Sequence, residues 1–136
     1  MIKEKLLYLL RYYPLSLFCL ALIWMLCLFI DMPESSLNGV PFIDKWTHFV
    51  MYGGTCSVIW WEYTKCHREV DIHRVILWAF IAPILMSGVI ELLQAYCTTT
   101  RRGEWLDLLA NTVGVVLGNV PGFISYCFTG TKNDKK

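Results

Sequence analysis

Charge is scarce in this sequence: Asp, Glu, Lys and Arg supply 17% of its 136 residues, against about a quarter in an average soluble domain. Twelve Lys and Arg set against eleven Asp and Glu leave a net charge of +1, so no basic field exists to hold nucleic acid. The polar make-up of a disordered chain is also missing, since 56% of the residues are hydrophobic and 15% aromatic. Six cysteines are present (Cys19, Cys27, Cys56, Cys66, Cys97 and Cys127), yet there is no C-x-x-C pair, and five fall inside or at the ends of apolar runs. That argues against a zinc ribbon or a disulfide scaffold and for small apolar packing residues. No internal repeat or linker divides the chain. What the sequence has in quantity is long apolar stretches, and its mean hydropathy of +0.47 points to one domain with lipid as its solvent.

Four stretches read as membrane-spanning helices. Residues 12–30 carry no charge and extend about 28 Å as a helix, close to the hydrocarbon thickness of a bilayer. Lys3, Lys5 and Arg11 precede this run as they would precede a signal peptide. The run is too long for a signal sequence and lacks a small-residue exit, so the expectation is a retained anchor. Residues 46–61 form a shorter run that can span with local thinning or protein cover. Residues 75–97 carry Pro83, Glu91 and Gln94, and residues 105–128 carry Asp107, Asn111, Asn119 and Pro121. Trp and Tyr cluster near the ends of these runs, as an interfacial belt requires. Lys and Arg gather before the first run (Lys3, Lys5, Arg11), between the second and third (Lys65, Arg68, Arg74) and after the fourth (Lys132, Lys135, Lys136). The other side has Lys45, Arg101 and Arg102. This bias predicts an all-α integral membrane bundle of four transmembrane helices with both termini cytoplasmic. The segments 31–43 and 98–104 then face outward, and the outer side is the acidic one.

Ionisable groups inside spans are costly and normally face a cavity or a partner. Here they are grouped. Asp44, His48 and Tyr52 recur at i, i+4, i+8 on the second helix, Glu91 and Gln94 at i, i+3 on the third, and Asp107 and Asn111 at i, i+4 on the fourth. Gly114 and Gly118 continue that last face and form a G-x-x-x-G packing element. Under the expected topology all of these lie in the outer half of the bundle, with Arg101 and Arg102 above them. The pattern predicts an outward-open polar pocket, or an ion-paired network that pins the 98–104 hairpin.

The segment Asp44-Lys45-Trp46-Thr47-His48-Phe49 with Tyr52 resembles the D-K-x-x-H-F-x-x-Y element of the VanZ-like family. Glu91-Leu92-Leu93-Gln94 is similar to that family's E-x-x-Q. Arg101 through Asp107 and Asn111 to Gly114 and Gly118 is similar to its R-x5-D-x3-N-x2-G-x3-G. Residues 44–118, more than half the chain, carry the likeness. Arg102 and Glu104 are mild departures from the family pattern. The resemblance implies a small multi-pass protein of the bacterial inner (cytoplasmic) membrane, in a family whose namesake accompanies glycopeptide-resistance genes and lowers susceptibility to lipid-tailed teicoplanin.

Three function classes follow. In the first, the pocket recognises an anionic or amphiphilic envelope molecule: a lipid headgroup, a cell-wall precursor or a lipoglycopeptide. Arg101 then grips phosphate or carboxylate, and Lys45, Tyr52, Gln94, Asp107 and Asn111 complete the ligand shell. In the second, an outer-leaflet hydrolase or transferase uses His48 oriented by Asp44, with Glu91 as a further acid/base group. A metal variant of that reading takes His48, Glu91 and Asp107 as ligands, although their spacing carries no local metal signature, and no cofactor is expected. In the third, the chain is a structural bundle whose Gly114 and Gly118 face mediates helix association or an oligomer.

Overall fold

The computed structural model describes residues 1–29, 43–97, 99 and 104–133, the side chains of 43, 44 and 129–133 excepted. Every element among the described residues is helical, as the composition led one to expect: α1 (Ile2–Tyr12), α2 (Pro14–Leu28), α3 (Ile43–Cys66), α4 (Ile72–Val75), α5 (Ala82–Cys97) and α6 (Trp105–Asn133). A π-helical segment, Ile76–Ile81, joins α4 to α5 without a break. Ile72–Cys97 as a unit and Trp105–Phe128 are long and apolar enough to cross a membrane, and a third span is reached if α1 and α2 are taken as one bent helix. The expected runs 75–97 and 105–128 lie within the first two. Residues 46–61 lie within α3, which at 24 residues is long enough to cross a membrane but, unlike the other expected runs, is not apolar enough by composition, its glycines, His48, and Trp and Tyr side chains lowering its hydropathy.

Within the first expected span the described helix is Pro14–Leu28, starting two residues later than expected, and α1 meets it at 98°. The cause is local. Pro14 is the first residue of α2, and the residue before a proline is driven out of the α region. Tyr13 accordingly has φ −130° and ψ 44°. Pro14–Leu28 therefore contributes 15 residues, about 22 Å.

The corner is closed by α3. A helix start leaves backbone N–H groups without intrahelical partners, and the carboxylate of Glu62, itself buried, takes two of them. Leu15 N–H donates to Oε1 at 2.9 Å, and Ser16 N–H donates to Oε2 at 2.9 Å. The Ser16 hydroxyl adds a third bond to Oε2 at 2.5 Å. A negative group at the positive end of α2 is also favourable to the helix dipole.

The closest helix pairing is α3 with α6, and glycines permit it. A Cβ on Gly114 would lie 2.5 Å from the carbonyl oxygen of Phe49, and one on Gly118 would run into the backbone of Gly53. Ser57 strengthens the seam by donating to the Gly118 carbonyl at 3.0 Å. Gly114 and Gly118 are thus spent on packing inside the chain, and the association face expected of them is covered by α3. Deeper along the same seam, Asn119 ties three helical segments together. It accepts from Trp60 Nε1 at 2.6 Å and donates to the Ala79 carbonyl, in the π-helical segment, at 2.8 Å.

Two apolar clusters fill the interior. Ile23, Cys27, Tyr52, Cys56, Ile90 and Val115 form one, and Ile59, Trp60, Tyr63, Val75 and Ala79 the other. Cys27 and Cys56 sit in the first as reduced, buried packing residues, as the sequence suggests. The outer surface is also apolar: Leu85, Leu92, Leu109 and Phe128, among others, are exposed. A surface of that character on so small a protein matches a lipid solvent and not water.

Candidate functional site

The hydrogen bonds fix how the helix ends are shared. The start of α2 meets Glu62 near the end of α3, and the Cys27 carbonyl near the end of α2 accepts from Gln94 Nε2 at 2.8 Å. Lys45 at the start of α3 meets the start of α6. The end of α2, the start of α3, the end of α5 and the start of α6 therefore lie at one end of the bundle. The motif-bearing residues of three helices are brought together there.

The centre of this cluster is Asn111 on α6. Its Oδ1 accepts from His48 Nδ1 on α3 at 3.1 Å, and its Nδ2 donates to the Ser87 hydroxyl on α5 at 2.7 Å. His48 is 2% exposed, Asn111 1% and Ser87 0%, so the amide links three helices out of contact with solvent. With Asn111 donating through Nδ2 to Ser87, its carbonyl oxygen faces the imidazole, which assigns the proton to Nδ1. Tyr52, one helical turn from His48, is buried as well, and its hydroxyl lies beside Ser87 without completing a hydrogen bond.

Nearer the end of the bundle the groups are charged. Lys45 lies 3.1 Å from Glu104 Oε2 and 3.4 Å from Asp107 Oδ1. A cation in the first turn of a helix opposes the helix dipole. The two acids offset that cost, and the hydrogen bond to Glu104 holds the Lys45 ammonium above its ordinary pKa. Asp107 occupies the first turn of α6, where a carboxylate is favoured. Glu91, 8% exposed, accepts the backbone N–H of Glu104 at 3.2 Å and so docks the end of α5 onto the entrance of α6.

Most of the residues singled out from spacing are gathered in this one cluster: Lys45, His48, Tyr52, Glu91, Gln94, Asp107 and Asn111. Arg101 and the side chain of Asp44 lie outside the described residues, as do Arg102 and Gly103. The candidate residues read from spacing do not include Ser87 or Glu62. Ser87 precedes Glu91 by four residues and Gln94 by seven, so the helical repeat itself places all three on one stripe. Nothing comparable marks Glu62, whose partners are backbone groups 46 and 47 residues away.

Among the described residues the polar groups of this cluster are packed against one another, while Arg101, which the expected pocket includes, lies outside the described residues. A cavity of about 360 Å³ opens elsewhere, among Trp60, Val75, Phe80, Asn119 and Phe123, in an apolar part of the bundle. Among the described residues, too, His48, Glu91 and Asp107 do not converge as a set of metal ligands. The Asn111 amide orients the imidazole through its hydrogen bond with Nδ1. No family model matches this chain, and the searches of curated proteins and of solved structures return no match either.

Proposed function

We propose that this chain is a VanZ-like protein of a bacterial inner membrane, with four spans and both termini in the cytoplasm, whose outer polar cluster recognises an anionic or amphiphilic envelope molecule. The observation that carries the reading is the joining of His48, Ser87 and Asn111 from three helices into one buried network, with Lys45, Glu104 and Asp107 at its outer rim. Buried polar groups are expensive unless paired, and the pairing here fixes the helix ends that would frame a ligand. The acids of that rim suit the holding of a guanidinium, and Arg101 is six residues before Asp107. Its planar fork is matched to a phosphate or carboxylate. Ligands of that chemistry include a lipid headgroup, a lipid-linked wall precursor and a lipid-tailed glycopeptide such as teicoplanin.

The test is Arg101→Ala in the purified full-length protein and in cells. Binding of the candidate lipids or of teicoplanin is expected to weaken by about tenfold or more, the loss associated with a charge-assisted contact of roughly 1.5–3 kcal/mol. Any glycopeptide phenotype is expected to fall with it while the protein stays in the membrane. Full binding and full phenotype in this variant overturn the proposal.

A second reading, an outer-leaflet hydrolase or transferase, draws on the orientation of His48 by Asn111 and on Glu91 at the rim. It requires that purified protein chemically convert an envelope lipid. Binding without conversion decides for recognition.

A further inference from the structure

The first helix has no role in any of this, and its geometry gives it one. We propose that α1 lies in the plane of the membrane, its leucine face sunk into the interface and its basic residues held against anionic lipid headgroups. The inference rests on α2 crossing the bilayer and is independent of what the polar cluster binds.

Three observations carry it. First, α1 leaves α2 at 98°, so if α2 runs along the bilayer normal, α1 runs along its surface. Second, the corner is built and not frayed. Glu62 binds the first amides of α2, the Tyr13 hydroxyl is 3.5 Å from His67 Nδ1, and the Cys66 thiol donates to the Tyr12 carbonyl at 3.4 Å. All three anchors stand on or just past the end of α3, so the bundle itself holds α1 across its axis. Third, α1 is amphipathic and uncovered. Ile2, Leu6, Leu9 and Leu10 share one arc by the i, i+4, i+7, i+8 rule, yet none is buried by protein. Lys3 and Lys5 flank that arc on its two sides, where long stems can lie along apolar surface with the ammonium groups raised. Arg11 is on the opposite side, beside Glu4.

Exposed leucines on a rigidly held helix need an apolar cover, and the lipid that covers α2 is continuous with this face. The three bases against one acid select an anionic headgroup. An interfacial helix of this kind buries its apolar face about 5–10 Å into the headgroup and acyl boundary.

The experiment uses the full-length protein in vesicles of phosphatidylcholine containing phosphatidylglycerol. A ketone-bearing unnatural residue, spin-labelled so that the native cysteines stay intact, is placed in turn at Glu4, Leu6, Leu10 and Arg11. A fifth label at Phe18, which is 63% exposed on α2, serves as reference. Power-saturation depths are expected about 5–10 Å below the phosphates at Leu6 and Leu10, at or above them at Glu4 and Arg11, and deep at Phe18. Uniform water access along α1 with Phe18 still deep overturns this inference alone. So does a depth that increases steadily from Glu4 to Phe18, which is the signature of one straight span. Water access at Phe18 as well overturns the spanning of α2 and the inference with it. In a variant with Lys3, Lys5 and Arg11 all changed to Gln, the Leu6 label is expected to move outward in anionic vesicles and to stay in place in phosphatidylcholine alone. An unmoved label in the anionic vesicles overturns the charge selection.

Discussion

Asn111 is the residue on which the polar cluster turns, because one amide bonds a ring nitrogen on α3 and a hydroxyl on α5. Asn111→Leu nearly preserves volume and removes both bonds in a setting closed to water. It is expected to cost about 1–3 kcal/mol, the range for stripping buried polar groups of a partner. Thermal unfolding of the purified protein in detergent measures it, and an unchanged midpoint would show that the network contributes nothing to stability. Asn111→Asp keeps an acceptor for His48 and loses the donor to Ser87, so it is expected to fall between the parent and the leucine variant. This residue was legible as polar and inward from its spacing with Asp107. Its partners were not, since they stand 63 and 24 residues away and the pairing depends on how three helices are rotated.

At the scale of elements, the seam between α3 and α6 is set by backbone contact. Gly118→Ala puts a methyl group into the backbone of Gly53, which cannot give way as a side chain tip can. The two helices must separate, and the expected loss is about 1–3 kcal/mol, the range for overpacking a close contact. Gly54 lies on the same helix as Gly53 with nothing within 4 Å of an added Cβ. Gly54→Ala is therefore expected to be neutral or to gain up to about 1 kcal/mol from helix propensity. The same melting experiment compares the two, and equal effects would refute the seam. The spacing of Gly114 and Gly118 announced close packing, but not against which helix. A partner in another molecule satisfied the sequence equally well until α3 was seen to occupy the face.

At the scale of the molecule, the proposed four-span reading puts both ends of the chain on one side, and on that reading the excess of Lys and Arg makes that side the cytoplasm. Green fluorescent protein fused after Lys136 is expected to fluoresce, and alkaline phosphatase fused at the same point to remain inactive. The reverse pair of results would remove the four-span topology and place the polar cluster on the inner face. The bent N-terminal pair bears on this count, since α2 alone has 15 residues. Its lipid crossing depends on tilt, local thinning or the cover of α3 and α5, against which it packs.

The amino-acid sequence by itself determined the helical class, the apolar solvent and the residues too polar to face lipid, because hydropathy and the 3.6-residue repeat are local properties. It also placed those residues on shared stripes. Only the tertiary structure decided that the stripes close on one another, that Glu62 caps a helix far from it in sequence, and that the glycine face is filled from within. The corner at Pro14 lies between the two. Its cause is one residue long, yet a proline at the start of an apolar run is compatible with a straight helix, and the turn of 98° is held by groups at the end of α3. Bonds between distant helices depend on rotation and register, which no window of neighbouring residues contains.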